Sequence, residues 1–193
     1  MSKDKGVVGK VRQHFEDYLR EFVYGGIDGA ITTFAVVAGS AGAGFEVTVI
    51  LVLGFANLIA DGLSMGVGSY LSTKSEIELA HKHGEAGKGS DDVSPAINGV
   101  TTYFAFIFFG LIPLLAYTLE KIFDFIVFDN TFLIACIFTA VAFVAIGALK
   151  SKVAETSIWR SVGETVFLGV LAAVLAYGIG YLLESLIVGA PAV

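Results

Sequence analysis

Apolar residues are gathered into five long runs that are separated by short polar segments. The runs cover residues 25–45, 47–71, 97–118, 131–149 and 164–188. A helix needs about 20 apolar residues to cross the hydrocarbon core of a bilayer, and each run is close to that length or longer. The pattern therefore predicts an all-α membrane protein, with five transmembrane helices forming one membrane domain over residues 25–188.

The segment before the first run has a different pattern. Residues 7–22 carry apolar side chains at helical spacing, with most charged residues on the opposite face. This predicts an amphipathic surface helix within residues 1–24, which turns into the first span and at its simplest is an anchor. Residues 1–24 lack the apolar core that a signal peptide would have. The polar segment 72–96 is too short to fold alone and is predicted to be a cytoplasmic loop, and residues 189–193 form a tail.

Composition and charge support the prediction of a membrane protein and also predict its orientation in the membrane. The chain is 55% hydrophobic and only 16% charged over 193 residues, with a mean hydropathy of +0.79. Eleven of the twelve Lys and Arg residues lie in segments 1–24, 72–96 and 150–162, and Lys121 alone lies on the other side. The positive-inside rule then predicts a cytoplasmic N-terminus and an external C-terminus. The lone cysteine, Cys136, excludes an intrachain disulfide.

Acidic residues occur inside the apolar runs. In GFANLIADGLSMGVGSY, the residues Asn57, Asp61 and Met65 are spaced four apart and stack along one face of a helix. A carboxylate at the bilayer centre costs roughly 3 kcal/mol and normally faces a partner or an aqueous path. Asp28 lies in the first run, and no Lys or Arg within the five runs can pair with either acid. A cation or a proton is the partner that remains.

Each of these residues also has a less specific explanation. Asp28 is close to the start of its run and can reach the membrane interface. A protonated Asp61 can join two helices through a hydrogen bond with Asn57. Met65 can be a core filler, whereas as a soft thioether ligand beside carboxylates it suits a transition metal such as Fe²⁺ better than Ca²⁺ or Mg²⁺.

Two G-x-x-x-G pairs lie beside the acids: Gly25 with Gly29, and Gly62 with Gly66. Such pairs permit close backbone contact between membrane helices. We therefore expect the first two spans to pack tightly against each other at the level of the acidic residues.

The polar segment 72–96 contains acidic residues and histidines that could bind a metal ion. A metal could be captured at the cytoplasmic side by Glu76, Glu78, His81, His83 and Glu85, although a solvated helix end explains the same residues. No nucleophile–base pair or phosphate-binding loop lies within the spans, so we expect no enzymatic activity and no permanently bound cofactor. Nothing in the chain predicts a nucleic-acid partner.

Several motifs resemble those of the vacuolar iron transporter family. YGGIDGAITTFAVVAG and LIADGLSMGVGSYLSTKSE resemble its first two spans, and FGLIPLLAY resembles its third; the similarity covers about residues 20–188. The resemblance implies a homodimer in the lipid bilayer that exports Fe²⁺, and often Mn²⁺, from the cytosol in exchange for protons. It also implies that Asp28 and Met65 bind the metal, while Asn57 and Ser69 stand where other members carry glutamate.

The resemblance further implies that a long cytoplasmic metal-binding insert of the family is reduced here to residues 72–96. We expect a short-form member of a bacterial cytoplasmic membrane, or of a vacuolar membrane if the host is eukaryotic. A membrane-bound metal sensor or scaffold without transport is the alternative function.

Overall fold

Five long helices make up the part of the chain that the structure, a computed structural model, describes. It describes residues 3–84, 93–123 and 130–187, with side chains from residue 18 onwards. The helices are α1 (Lys3–Gly42), α2 (Val47–Lys82), α3 (Pro95–Phe123), α4 (Thr131–Val153) and α5 (Ile158–Ile187). Each contains a stretch that is long and apolar enough to cross a membrane, which confirms the predicted fold class. The orientation across the membrane stays a prediction.

The helices extend beyond the apolar runs. The expected turn between a surface helix and the first span is not formed, because α1 is one uninterrupted helix of 40 residues. Gly25 and Gly26, its weakest point by propensity, are held against α3. α2 continues to Lys82, so the first half of the predicted loop 72–96 is helical, while residues 85–92 lie outside the described part.

α1 packs on α3 through its glycine pair. A Cβ atom on Gly25 would lie 2.9 Å from the backbone oxygen of Thr102, and one on Gly29 would overlap the backbone of Phe106. From the first contact to the second, α1 and α3 both advance by four residues towards their C-termini. α1 and α3 therefore run parallel, with their backbones in direct contact.

α2 packs on the same central helix in the opposite direction. A Cβ atom on Gly66 would lie 2.9 Å from the backbone oxygen of Gly99, whereas Gly54 meets the side chain of Leu114. Gly62 also faces α3, at Phe106. The expectation that the two G-x-x-x-G pairs join the first two spans is therefore wrong. Each pair joins its own helix to α3, since small residues permit contact with whichever backbone lies opposite.

α5 completes the bundle beside α1. Gly39 faces the backbone of Ala176, and Gly180 faces that of Gly39 and Ala43, so the two helices run parallel. α2 and α5 bury the smallest shares of their apolar stretches. Their outer faces are available to lipid or to another subunit.

Replacing Gly29 with alanine is expected to lower the free energy of unfolding by about 1–3 kcal/mol, because the added methyl group overlaps the backbone of Phe106. Gly163→Ala is the matched control, since nothing lies within 4 Å of its Cβ position. Thermal unfolding of the detergent-solubilised protein measures both variants. Equal unfolding midpoints would contradict the proposed backbone contact.

Candidate metal site between α1 and α2

The polar residues of α2 form one stripe, as their spacing predicts. Asn57, Asp61, Met65 and Ser69 follow at intervals of four residues, and each is half-buried. The residues that follow the first three in sequence pack on α3 and are fully buried: Leu58, Gly62 and Gly66. The stripe therefore lies at the edge of the α2–α3 contact, on the border between the protein interior and the exposed face of α2.

Asp28 brings a second carboxylate to this border. It is half-buried on α1, and its side chain is close enough to Asp61 for their negative charges to repel each other. The Thr32 hydroxyl donates to the backbone oxygen of Asp28 at 2.8 Å rather than to its carboxylate. Within the described residues, no hydrogen bond or salt bridge reaches either carboxylate. The structure thus joins two acids that are 33 residues apart in the sequence.

Met65 and Asn57 have different surroundings. Met65 is partly buried against the apolar cluster that contains Leu58 and Phe106, so it packs into the core from a position one turn away from Asp61. The side-chain nitrogen of Asn57 is buried without a hydrogen-bond partner. A link between Asn57 and Asp61, the alternative explanation of the stripe, is therefore not formed.

Glu21 is a site residue that the sequence analysis missed. Its Oε2 atom accepts hydrogen bonds from Ser69 Oγ on α2 at 2.8 Å and from Thr102 Oγ1 on α3 at 2.9 Å. It therefore ties three helices together at the N-terminal side of Asp28. Glu21 lies two turns before Asp28 on the same helical face, and this position could have indicated that it belongs to the site. The amphipathic pattern of residues 7–22 instead placed it in the predicted surface helix.

The candidate capture residues lie on the last turns of α2 and in the turn that follows. All those that the structure describes are exposed: Glu76, Glu78, His81 and His83. Glu78 lies 3.9 Å from Lys74 in a surface salt bridge. Glu85 lies outside the described residues, so metal capture by this segment stays a prediction.

The described side chains of one chain contain no complete cluster of metal ligands. Over residues 18–84, 93–123 and 130–187, no three His, Cys, Asp or Glu side chains are grouped closely enough to hold a metal ion. The α1–α2 border supplies the two carboxylates of Asp28 and Asp61, with the thioether of Met65 nearby. Transition metals take four to six ligands, so a metal ion held at this border would need ligands beyond these three side chains.

Comparison with known proteins assigns the chain to a family. Residues 19–88 and 80–181 match the family model described as the VIT family. The chain belongs to this family. It is 28% identical to the vacuolar iron transporter of Toxoplasma gondii, over 90% of this chain and 76% of that protein. It is 29% identical to vacuolar iron transporter homolog 4 of Arabidopsis thaliana, over 87% of this chain and 85% of that protein.

The family match also bears on the short segment between α2 and α3. The two matched stretches overlap at residues 80–88, which include the end of α2 and part of the segment before α3. The alignment with the T. gondii protein extends over 239 positions, although this chain has 193 residues, whereas the alignment with the A. thaliana protein needs 175. Some VIT relatives therefore carry a segment that this member lacks.

Replacing Ser69 with alanine is expected to lower the free energy of unfolding by about 1 kcal/mol, because a partly buried carboxylate loses one of its donors. Ser72→Ala is the control, since that hydroxyl lies 3.4 Å from the exposed Glu76 and its loss should change little. In a Glu21→Ala background the cost of Ser69→Ala should disappear. Chemical unfolding in detergent measures the wild type, the three single variants and the double variant, and an unchanged cost of Ser69→Ala in the Glu21→Ala background would contradict the contact.

Proposed function

We propose that this VIT family member transports a divalent transition metal, Fe²⁺ or Mn²⁺, out of the cytosol, and that protons move in the opposite direction. The observation that carries the proposal is the pair of half-buried carboxylates, Asp28 and Asp61, which have no basic partner in the described chain. A divalent cation balances both charges at once. The names of the relatives, vacuolar iron transporters, support iron as a substrate.

The donor set favours a transition metal. Carboxylates neutralise the charge of any divalent cation, but the thioether of Met65 is a soft ligand that Mg²⁺ and Ca²⁺ do not use. Fe²⁺ accepts a set of oxygens with one or two softer ligands, whereas Mn²⁺ relies mainly on the oxygens. Met65 therefore acts as the selective element, and Asp28 and Asp61 supply the binding strength.

A homodimer would complete the site. Beside the stripe, α2 exposes a row of small residues at intervals of four: Ala56, Ala60, Ser64 and Gly68. Small residues permit close approach of a second helix in a membrane, so this row supports contact with a second copy. A two-fold axis next to the border between α1 and α2 would bring two sets of carboxylates and thioethers to one metal.

Repulsion between Asp28 and Asp61 provides a route to proton exchange. When the metal leaves, two carboxylates remain in the membrane region without a counter-charge, and a proton takes the place of the metal. The next metal ion displaces that proton. With the N-terminus in the cytosol, metal would leave the cell and protons would enter, across the cytoplasmic membrane of a bacterium.

Replacing Asp28 with asparagine, or Met65 with leucine, is expected to lower metal flux into proteoliposomes by about tenfold or more. Asparagine removes the charge and leucine removes only the sulfur at nearly constant volume. Glu46→Gln is the control, because Glu46 is exposed and caps no helix with its side chain. Flux of Fe²⁺ and Mn²⁺ is followed with a fluorescent dye inside the vesicles.

Wild-type flux in both variants would contradict the proposed site. Binding of Mn²⁺ to the wild-type protein without any flux would instead support the alternative function, a membrane-bound sensor or scaffold. In that case the exposed end of α2, with Glu76 and Glu78, becomes the place to search for the bound metal.

Lowering the pH on the metal-binding side is expected to raise the half-saturating Mn²⁺ concentration. Protons and metal compete for the same carboxylates, so binding strengthens as pH rises and weakens as it falls. The dependence should be flatter in Asp28→Asn, which has one titrating group fewer at the site. Initial rates at several pH values measure it, and a half-saturating concentration that does not change with pH would contradict proton competition.

A further inference from the structure

The hydrogen bond between Glu21 and Ser69 lies on the same α1–α2 border as the candidate metal site. Glu21 precedes Asp28 by seven residues on one face of α1. On α2, Ser69 follows Asp61 by eight residues along the polar stripe. Because α1 and α2 run in opposite directions, both spacings lead towards the N-terminal end of α1, and at 1.5 Å per residue they correspond to about 10–12 Å. The bond therefore crosses the border two turns away from the acids.

The backbones beside this bond are fixed on α3. Gly25 lies one turn after Glu21, and its Cβ position is 2.9 Å from the backbone oxygen of Thr102. Gly66, less than one turn before Ser69, has its Cβ position 2.9 Å from a backbone oxygen of α3 as well. Side chains can therefore move at this level of the border while the three helices keep their places.

The hydroxyl of Thr102 has two acceptors but only one proton. Its Oγ1 atom lies 2.9 Å from Glu21 Oε2 and also 2.9 Å from the backbone oxygen of Asn98, one turn earlier in α3. Thr102 can therefore release Glu21 and still donate a hydrogen bond within its own helix. Ser69 is half-buried at the border, where water can replace the carboxylate as its acceptor. The bonds of Glu21 break at little cost, because no buried donor is left unpaired.

We propose that the Glu21 side chain is a gate at the N-terminal end of the α1–α2 border. With its hydrogen bonds to Ser69 and Thr102 formed, the side chain joins α1 to the other two helices and closes the border. When the carboxylate rotates away, water and a metal ion reach Asp28 and Asp61 from that end. The inference rests on the proposed function and adds control of access to it. The predicted orientation places the gate on the cytoplasmic side.

Reaction of a thiol behind the gate measures its opening and does not depend on transport. Met65 is one turn from Ser69 towards the acids, so Met65→Cys supplies the thiol, in a Cys136→Ala background that removes the native cysteine. The full chain is reconstituted in liposomes without metal, and a small uncharged maleimide is applied from the side of the N-terminus. The thiolate is the reacting form, so the reaction reports the access of water to this position.

Two variants of Glu21 isolate the hydrogen bonds from charge and size. Glu21→Gln and Glu21→Met have similar length and no charge, but only glutamine keeps an oxygen that accepts from both hydroxyls. The maleimide reaction is expected to be about tenfold faster in Glu21→Met than in Glu21→Gln, as for a lost interaction of ~1.4 kcal/mol. Ser69→Ala should accelerate the reaction relative to the protein with Ser69 in place.

Thr102→Val and Thr139→Val are a second matched pair. Both hydroxyls are buried and donate within their own helix, but that of Thr102 also donates to Glu21. Thr102→Val is expected to accelerate the reaction, and Thr139→Val to leave it unchanged. Native Cys136, measured with Met65 in place, should react at one rate in all these variants.

Three results would overturn the gate: equal rates in Glu21→Met and Glu21→Gln, equal acceleration in the two threonine variants, or a parallel rise at Cys136, which indicates general loosening of the bundle. They leave the transport function intact as long as Asp28→Asn lowers metal flux. A wild-type protein without flux would overturn the function itself, whatever the maleimide rates.

Discussion

Asp28 and Asp61, two half-buried carboxylates that repel each other and have no basic partner among the described residues, set the main physical constraint on this helix bundle. An ionised carboxylate in the hydrocarbon region is stable only with a counter-charge, a proton or water. A second carboxylate within range of the first increases the need for a counter-charge, because like charges repel each other. Under the proposed function, such a site exchanges a cation for protons instead of forming a permanent ion pair.

The rest of the bundle holds this pair in place without neutralising it. α3 supports α1 and α2 through glycines that permit backbone contact, which leaves the edges of both helices free to meet over the acids. Glu21, with donors from α2 and α3, fixes the same three helices two turns further back. Along α1, carboxylates therefore recur on one face at Glu21 and, two turns later, at Asp28.

Features that depend on one segment could be predicted from the sequence, and features that depend on contacts between segments could not. The five spans follow from the length of the apolar runs, and the α2 stripe follows from the helical period of Asn57, Asp61 and Met65. The partner of the glycine pairs was misassigned, because a G-x-x-x-G motif indicates a close approach but not the helix approached. Glu21 was missed because its donors lie 48 and 81 residues away. The helices are longer than their apolar runs, because a helix can continue with polar residues outside the bilayer at little cost in free energy.

Anomalous X-ray diffraction from crystals of the full chain soaked in Mn²⁺ locates the bound metal. We expect an anomalous peak within coordination distance of the Asp28 and Asp61 carboxylates, shared between two copies across a two-fold axis, with Met65 beside it. A peak confined to the exposed end of α2, or acids that turn towards the lipid headgroups while the border between α1 and α2 holds no metal, would contradict it.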